Sequence, residues 1–453
     1  MSTKQLTDFI SDICYEDLPA HTVDYAKLCV IDLMGTAIAG SVNPVGQIWK
    51  TYFEQTKQAG GSGTVWSQGF PAMRTEEAAA CNAANSHLLD LDDVHNTSIT
   101  HPGTITIPAA IAIGQELKKS GKDVLAAIVG GYEAATRIGE AINPGAYWFW
   151  HTTGVVGAFS SAAASGKLLG LTKDQMLMAF GSAGTQAAGL WEFLEDGSMS
   201  KSLHTANAAL CGIRSARLAK LGFTGASKIL EGKKGFLKAL NPQSDEGAIT
   251  RGLEKGNYKL DTNSFKPYAC CRHIHSANYA LLELIREARI SAEDVESIED
   301  RTYQVAVNTA SNADPKTAYA YKFSIQYCLA AALLYGDVSG AVFTEEKTKN
   351  PAARALMDKV TVVVDPQIQK SFEEDPARWT HTLKIRLKDG RVLEKTVDYP
   401  LGDYMNPFTW EIAEKKFHGL VDAIIGEKTA AELADRISNM EKLEDIGEMF
   451  DGL

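Results

Sequence analysis

The fold class follows from a run of small residues at 160–170, which reads Ser-Ser-Ala-Ala-Ala-Ser-Gly-Lys-Leu-Leu-Gly. Small residues at helix contacts let two backbones approach closely, so this run predicts a helix packed tightly inside an all-α domain. Similar Ala-, Leu- and Ile-rich segments, such as 22–40 and 108–119, occur throughout residues 1–255, with glycines that mark helix ends. Several are apolar on more than one face, which is typical of a large helical bundle or a dimer core.

The pattern changes after about residue 260. Apolar and polar residues nearly alternate over 295–307 and 380–387, and Val360–Val364 is β-branched. An Asp389-Gly390 turn joins 380–387 to 392–397 and predicts a β-hairpin. Two helices are expected at 276–289 and 320–334.

The sequence therefore predicts a mainly α protein in two domains. We expect a large all-helical domain over 1–260 and 401–453, where the last fifty residues return to charged amphipathic helix. A smaller α+β domain is expected over 261–400. The length of 453 residues agrees with two domains, because a single ordinary core is smaller.

The composition of the chain limits the binding partners and the compartment that it favours. The net charge of −11 disfavours binding to a nucleic-acid backbone, although a local cationic pocket could still take a small anion. No apolar run reaches the roughly 18 residues of a membrane span, and the N-terminus lacks the apolar segment of a signal peptide. The seven cysteines are odd in number and form no C-x-x-C motif, which favours reduced thiols in the cytoplasm.

The first candidate site is His87-Leu-Leu-Asp90-Leu-Asp92-Asp93-Val-His95, followed by His101-Pro102-Gly103. If this segment is helical, His87, Asp90 and Asp93 share one face. It is then an acid/base and substrate-binding segment at a helix end. A metal site built from Asp and His, and a solvated helix terminus with capping aspartates, are the alternatives.

Two further segments carry single candidates. His151 follows the aromatic run 147–150 at a predicted helix start, where it is either a substrate ligand or a buried, hydrogen-bonded histidine. Lys201 lies at the mouth of a helix predicted to begin near Ser202. A cation beside free helix N–H groups suits a carboxylate, and an ordinary surface lysine is the alternative.

The fourth segment, 266–275, lies where the helical part gives way to the α+β part. Lys266, Arg272, His273 and His275 form a cationic cluster there, and domain junctions favour ligand clefts. The adjacent cysteines at 270 and 271 lack metal-ligand spacing and are expected to be buried structural thiols. No dinucleotide, P-loop or G-x-S-x-G motif occurs in the chain.

Taken in this order, these segments resemble the MmgE/PrpD family. The matching motifs are Leu-Asp-Leu-Asp-Asp-(x)₇-His-Pro ending at Pro102, Trp-His-Thr-Thr at 150–153, Ser-Lys-Ser-Leu-His-Thr-Ala-Asn-Ala-Ala at 200–209, Lys-Pro-Tyr-Ala-Cys-Cys-Arg-(x)₂-His at 266–275, and Asp-Pro-Lys-Thr at 314–317 with Lys-Phe-Ser-Ile-Gln-Tyr at 322–327. Each motif alone is moderately specific, but five in sequence form a strong match.

The resemblance implies a homodimer in which an α+β lid domain and the helical domain enclose the active site, with no metal or cofactor. Carried over residue by residue, it implies a catalytic set and a substrate-binding set. The catalytic set is Asp93, His101, His151, Lys201 and His275, and the substrate-binding set is Asp90, Lys201 and Arg272.

The reactions of this family occur at a carbon next to a carboxylate. Fixed cations can stabilise the negative charge that develops there, and a histidine can move the proton. We expect a metal-independent hydro-lyase that acts on a small di- or tricarboxylate such as 2-methylcitrate. The alternatives are cis-aconitate decarboxylase, an epimerase of the iminodisuccinate type, and a non-catalytic dimeric binding protein. Two departures leave the reaction open: 96–100 lacks a tryptophan-containing insert of the dehydratases, and Val94 replaces a hydroxyl-bearing residue of the decarboxylases.

Overall fold

The computed structural model describes residues 1–56, 61–67, 69–70 and 72–453. The chain forms two compact units. One contains Met1–Asn263 together with Thr409–Leu453, and the other contains Ser264–Phe408. Helices predominate and a single four-stranded sheet is described, so the predicted class, mainly α with a smaller α+β part, is confirmed.

The first unit is built from helices. They are α1 (Ser2–Asp12), α2 (Ala20–Ser41), α3 (Pro44–Thr56), α4 (Thr75–Ser86), α5 (Pro102–Leu117), α6 (Gly121–Ile142), α7 (Thr152–Leu168), α8 (Lys173–Gly184), α9 (Phe193–Asp196), α10 (Lys201–Lys220), α11 (Phe236–Leu240), α18 (Trp410–Ile425) and α19 (Glu427–Ser438). Ser120 and Thr172 begin α6 and α8 with capping boxes, which satisfy the otherwise unpaired N–H groups of the first turn.

The centre of this unit is α7, which contains the small-residue run and packs against α5, α6 and α10. At Gly212 of α10, a Cβ atom would lie 2.3 Å from the Cβ of Ser161 and 2.6 Å from the backbone nitrogen of Ala162. Only glycine allows the two helices to approach this closely. The predicted tight packing of this segment is therefore confirmed.

The C-terminal helix α18 packs against α2 in the same unit. The ammonium group of Lys416 donates to the carboxylate of Asp32 at 2.6 Å and to the carbonyl of Leu91 at 2.8 Å. The second bond connects α18 to the loop between α4 and α5. The end of the chain therefore helps to hold that loop in place.

The second unit combines helices with the sheet. Its elements are α12 (His275–Ala288), β1 (Val295–Thr302), α13 (Gln304–Ala310), α14 (Ile325–Tyr335), α15 (Glu345–Thr348), α16 (Pro351–Met357), β2 (Val360–Val364), α17 (Pro366–Glu374), β3 (His381–Leu387) and β4 (Val392–Val397). The strand order is β2-β1-β3-β4, with β1 and β2 parallel and the other two pairs antiparallel. Helix α12 packs against β3 and β4.

The predicted hairpin is confirmed as β3 and β4, and Gly390 adopts a φ of 90° in the turn. Two other predictions need correction. The strand expected at 295–307 ends at Thr302, and its last residues form α13. The helix expected at 320–334 is broken at Ser324, whose extended backbone separates a 3₁₀ turn from α14 and whose side chain caps α14.

Among the described residues, no single helix is both long enough and apolar enough to cross a membrane. The consecutive pair Ala20–Ser41 and Pro44–Thr56 meets both criteria only when taken together, and it is bent by 82°.

Candidate active site

The first candidate segment forms a loop. Helix α4 ends at Ser86, so the expectation that His87, Asp90 and Asp93 share a helical face is wrong. Asp90 has a φ of 54° and Ile99 a φ of 48°, and neither is compatible with a right-handed helix. Polar side chains that bond nearby groups compete with helix formation. Here the Nδ1 of His95 bonds the hydroxyl of Ser98 at 2.9 Å.

Asp92 is the centre of this loop. Its Oδ2 lies 2.7 Å from the Nδ1 of His87 and 3.3 Å from the Nδ1 of His101. Burial acts to raise the pKa of Asp92, but the two histidines outweigh it and hold that pKa well below the usual value. Burial lowers the pKa of His87 to about 4 against the opposing effect of Asp92. Asp92 is therefore an ionised carboxylate that orients two imidazole rings.

Lys201 is the first residue of α10, and its ammonium group donates to Oδ1 of Asp90 at 2.6 Å. The exposed fractions are 5% for Lys201 and 2% for Asp90. The interpretation of Lys201 as an ordinary surface lysine is therefore wrong. The left-handed backbone of Asp90 places its carboxylate against α10, although residue 90 is distant from residue 201 in sequence.

His151 is the residue just before α7, at the predicted helix start, and it is buried. Its Nδ1 lies 3.1 Å from the Nδ1 of His204, and its ring packs on Trp191 with centroids 4.8 Å apart. Burial lowers the pKa of His151 well below the usual value, and the charges of His87 and Lys201 add to this effect. Its Nε2 has no hydrogen-bond partner among the residues that the structure describes.

Ring contacts join these groups into one cluster. The centroid of His87 lies 4.8 Å from that of His101 and 5.4 Å from that of His151. The charge of Lys201 lowers the pKa of both His87 and His151, so the ion pair borders the rings. Four predicted site residues meet here: Asp90, His101, His151 and Lys201.

The catalytic and substrate-binding sets expected from the resemblance omit three members of the cluster: His87, Asp92 and His204. Asp92 and His204 lie inside matching motifs, and His87 lies two residues before one, so the sequence indicated the segments but not the roles of these residues. Their roles depend on a folded loop and on the packing of α7 against α10, and the spacing of residues predicts neither.

Asp93 belongs to a different set of contacts. It accepts hydrogen bonds from the backbone N–H of Gly103 at 3.0 Å, from the hydroxyl of Tyr132 at 2.6 Å and from the amide of Asn263 at 2.6 Å. Burial raises its pKa to about 8 although Tyr132 and Asn263 oppose the shift. One carboxylate oxygen, Oδ1, thus holds the start of α5, and the other, Oδ2, is engaged by Tyr132 and Asn263.

Arg272 and His275 lie in the second unit, and both are buried. Arg272 donates to Asp403 at 2.8 Å and lies over the ring of Trp379, while its Nε and Nη1 have no hydrogen-bond partner among the described residues. His275 begins α12, and its Nε2 lies 3.2 Å from the carbonyl of Cys270. The expected convergence of His275 with His101, His151 and Lys201 stays a prediction.

The metal alternative has a definite location. His87, Asp92 and His101 each offer one ligand atom, and these atoms lie within 4.8 Å of one another. Two imidazoles and a carboxylate are suitable ligands for several divalent metals. The same three side chains also form an Asp-oriented histidine pair, which needs no metal to move a proton.

Comparison with known proteins gives the family. Residues 4–247 match the MmgE/PrpD N-terminal domain, and residues 268–442 match the MmgE/PrpD C-terminal domain. Cis-aconitate decarboxylase from Aspergillus terreus (strain NIH 2624 / FGSC A1156) is 29% identical over 98% of this chain and 94% of its own length. The human cis-aconitate decarboxylase is 27% identical over 94% of this chain and 89% of its own length.

A second group of relatives covers less of the chain. The 2-methylcitrate dehydratase of Cupriavidus necator is 28% identical over 54% of this chain and 52% of its own length. Decarboxylases and dehydratases are both lyases, so the expectation of a lyase-type enzyme is confirmed. The two domain matches together span most of the sequence, and the chain belongs to the MmgE/PrpD family.

Proposed function

We propose that this protein is a lyase acting at a carbon next to a carboxylate of a small tricarboxylate, with dehydration of a substrate such as 2-methylcitrate as the first candidate reaction. The observation that carries the proposal is the cluster in which the Asp92-oriented His101 borders His151 and the buried Lys201. Dehydration needs one group that removes a C–H proton and another that protonates the departing hydroxyl. Two histidines in different environments suit these tasks.

His101 is the proposed general base. Its Nδ1 lies 3.3 Å from Oδ2 of Asp92, and a proton held on Nδ1 beside this carboxylate would leave Nε2 as a proton acceptor. The side chain of His101 is 13% exposed, whereas the side chains of His87 and Asp92 are fully buried. His101 is therefore the member of this trio that a substrate can reach, and Asp92 would stabilise the imidazolium formed after proton removal.

Lys201 is the proposed electrostatic partner of the substrate. Its ammonium group is buried and donates to Asp90 at 2.6 Å. A cation held in a buried setting stabilises enediolate-like charge more strongly than a cation in water. Asp90 positions this cation. Arg272, which has two donors without partners among the described residues, is proposed to bind a second carboxylate.

His275 and Asp93 complete the proposed catalytic set. His275 follows the cationic motif in the sequence, and this position supports a contact with substrate. The contacts of Asp93 favour a positioning role at the start of α5 over proton transfer to substrate.

Decarboxylation of cis-aconitate is the second candidate. It is favoured by the decarboxylase from Aspergillus terreus, which matches this chain over nearly its whole length, whereas the dehydratase match covers about half. Loss of CO₂ builds similar negative charge next to a carboxylate and then needs one proton. Lys201 could stabilise that charge, and His101 or His151 could supply the proton.

Incubation with 2-methylcitrate, cis-aconitate and iminodisuccinate, followed by NMR of the products, tests these reactions separately. We expect turnover of one tricarboxylate and a loss of about 10²–10⁴-fold in kcat/KM in His101→Gln. His418→Gln is the matched control, because the Nδ1 of His418 likewise lies beside an aspartate, at 2.7 Å from Asp422, but on α18. Inactivity of the wild-type protein on all three compounds would contradict the proposal.

We also propose a homodimer in the cytoplasm. Exposed apolar residues support self-association, since large exposed apolar side chains often mark an interface. They include Trp148, Phe149, Leu190, Met199 and Leu203. Light scattering after size exclusion should give twice the mass of the 49.0 kDa chain, and a monomer at micromolar concentration would contradict the dimer. The cytoplasmic location is supported by the odd number and scattered spacing of the cysteines.

A further inference from the structure

We propose that His204 is a positioning residue that sets the tautomer of His151 and renews its proton through the Nδ1–Nδ1 hydrogen bond. The inference rests on the proposed function in one respect, namely that the Nε2 of His151 acts on the substrate. Its physical basis is the contact between the two rings, which exists whatever the substrate is.

The contact allows only two neutral arrangements. The Nδ1 atoms lie 3.1 Å apart, which is a hydrogen-bond distance. A neutral imidazole has one N–H and one bare nitrogen, so one Nδ1 must donate and the other must accept. If His204 donates, His151 carries its proton on Nε2 and can act as an acid. If His151 donates, its Nε2 is bare and can act as a base.

Both rings are held in the neutral form by their surroundings. Burial lowers the pKa of His204 to about 4, and the charge of Lys201 adds to this shift. For His151 the pKa is lowered first by burial and then by the groups that face it. Those groups are His87 in the loop after α4, His101 before α5, and Lys201 and His204 on α10. The acid and base forms of His151 therefore differ in tautomer and not in charge.

Packing fixes His204 in this contact. It lies one turn after Lys201 on α10, and its ring faces Gly154 and Gly189. A Cβ at Gly154 would lie 3.0 Å from the Cβ of His204, and one at Gly189, whose φ is 142°, would lie 3.2 Å from its Nδ1. The ring of Phe193 lies 5.8 Å away. The imidazole has little room to leave His151.

The exchange balances without any other reactant. When Nε2 of His151 gives its proton to a substrate, Nδ1 of His151 takes the proton from Nδ1 of His204, and Nε2 of His204 takes one from a solvent water. The hydroxide left in solvent is neutralised by the proton that the general base His101 removes from the substrate and releases. The reverse sequence follows when Nε2 of His151 accepts a proton. His204 is only partly buried while His151 is 2% exposed, so His204 is the ring nearer to solvent. Both rings are neutral before and after each exchange.

The first test reads the tautomers directly. Long-range ¹H–¹⁵N NMR on protein with labelled histidine reports which nitrogen of each ring is protonated, and loss of a signal in His151→Gln assigns His151. We expect the ring-nitrogen shifts of His151 to change in His204→Phe, because the partner nitrogen is removed, while the signals of His87 and His101 keep their pattern. Unchanged His151 shifts would overturn the proposal. His204→Asn, which is smaller and polar, replaces His204→Phe if that variant fails to fold.

The second test uses turnover. In His204→Ala we expect kcat to fall by about 10–100-fold with KM changed less than about twofold, and added imidazole to restore part of kcat. His418→Ala on α18 is the control for loss of a histidine elsewhere. A folded His204→Ala protein with kcat within twofold of wild type would overturn the relay. If the wild type turns over none of the tricarboxylates, the proposed function fails, while the NMR result still decides the tautomer claim.

Discussion

Lys201 and Asp90 form a buried ion pair in which each partner depends on the other. In Lys201→Met the substrate would lose a charged hydrogen bond, which contributes about 1.5–3 kcal/mol. We expect kcat/KM to fall by about ten- to more than a hundredfold. Because Asp90 is only 2% exposed, the variant also leaves a buried carboxylate without its cation, and the free energy of unfolding should fall by about 3–5 kcal/mol.

Two further variants separate these effects. Asp90→Asn combined with Lys201→Met should recover much of the stability but none of the activity. Lys173→Met, which breaks the exposed pair with Asp12, should change both quantities little. Urea unfolding and steady-state kinetics measure both. A Lys201→Met protein with near-normal kcat/KM would remove Lys201 from the site.

Contacts of individual residues also bear on the metal alternative. Asp92 already bonds His87, and the charge of Lys201 borders these rings, which disfavours a second cation. We expect activity to survive exhaustive treatment with EDTA. Activity that is lost with the chelator and restored by one divalent ion would assign His87, Asp92 and His101 to a metal centre.

At the scale of elements, the contact between α7 and α10 positions His204 and Lys201. A Cβ at Gly212 would meet Ser161 and the backbone of Ala162, so Gly212→Ala should lower stability by about 1–3 kcal/mol and displace α10. We expect kcat to fall with it. Gly419→Ala on the exposed face of α18 is the control, since its Cβ meets no atom within 4 Å and alanine favours a helix by roughly 0.5–1 kcal/mol.

Thermal unfolding and turnover of the two variants are the measurements. Equal stability of Gly212→Ala and wild type would show that the two helices can move apart without cost, contrary to their close contact at Gly212. A Gly419→Ala protein that also loses activity would mean that glycine replacement harms the enzyme for a reason unrelated to α10.

Local patterns account for the elements that were predicted correctly. The hairpin of β3 and β4 has period-two burial and an Asp-Gly turn, and both signals are contained in adjacent residues. The loop after α4 was missed for the opposite reason. Its course depends on the left-handed residues Asp90 and Ile99 and on hydrogen bonds between side chains, and neither alters hydrophobic periodicity.

The candidate site likewise contains features that the sequence predicted and features that arise only from the fold. Motif resemblance gave His101, His151 and Lys201, but the burial of Lys201 and the contact of His151 with His204 arise only when α7 packs on α10. Asp93 and Asp92 are neighbours of the same residue type, and the sequence favoured Asp93. Successive residues of the loop point in different directions, so Asp92 faces the histidines and Asp93 faces Tyr132.

At the scale of the whole molecule, the buried histidines make folding sensitive to acid. Burial lowers the pKa of His87, His95 and His204 to about 4 and that of His273 to about 3, whereas the value in an unfolded chain is near 6.5. Below pH 6.5 the unfolded chain therefore binds protons that the folded chain does not. The stability of the folded state is full above that pH and falls as the pH approaches 4.

Asp93 has the opposite effect on stability, because burial raises its pKa in the folded state to about 8. Above about pH 4, Asp93 is ionised in the unfolded chain but still protonated in the fold, and this difference favours unfolding. Four histidines against this carboxyl leave a net uptake of protons on unfolding, and each proton contributes about 1.4 kcal/mol per pH unit. We expect the unfolding temperature to drop steadily from pH 6.5 to 4. Replacing His95, which bonds Ser98 and Thr262, with Gln should reduce the uptake by about one proton. Calorimetry in two buffers of different ionisation enthalpy measures that uptake, and a value of zero at pH 5 would contradict the neutral state of these rings.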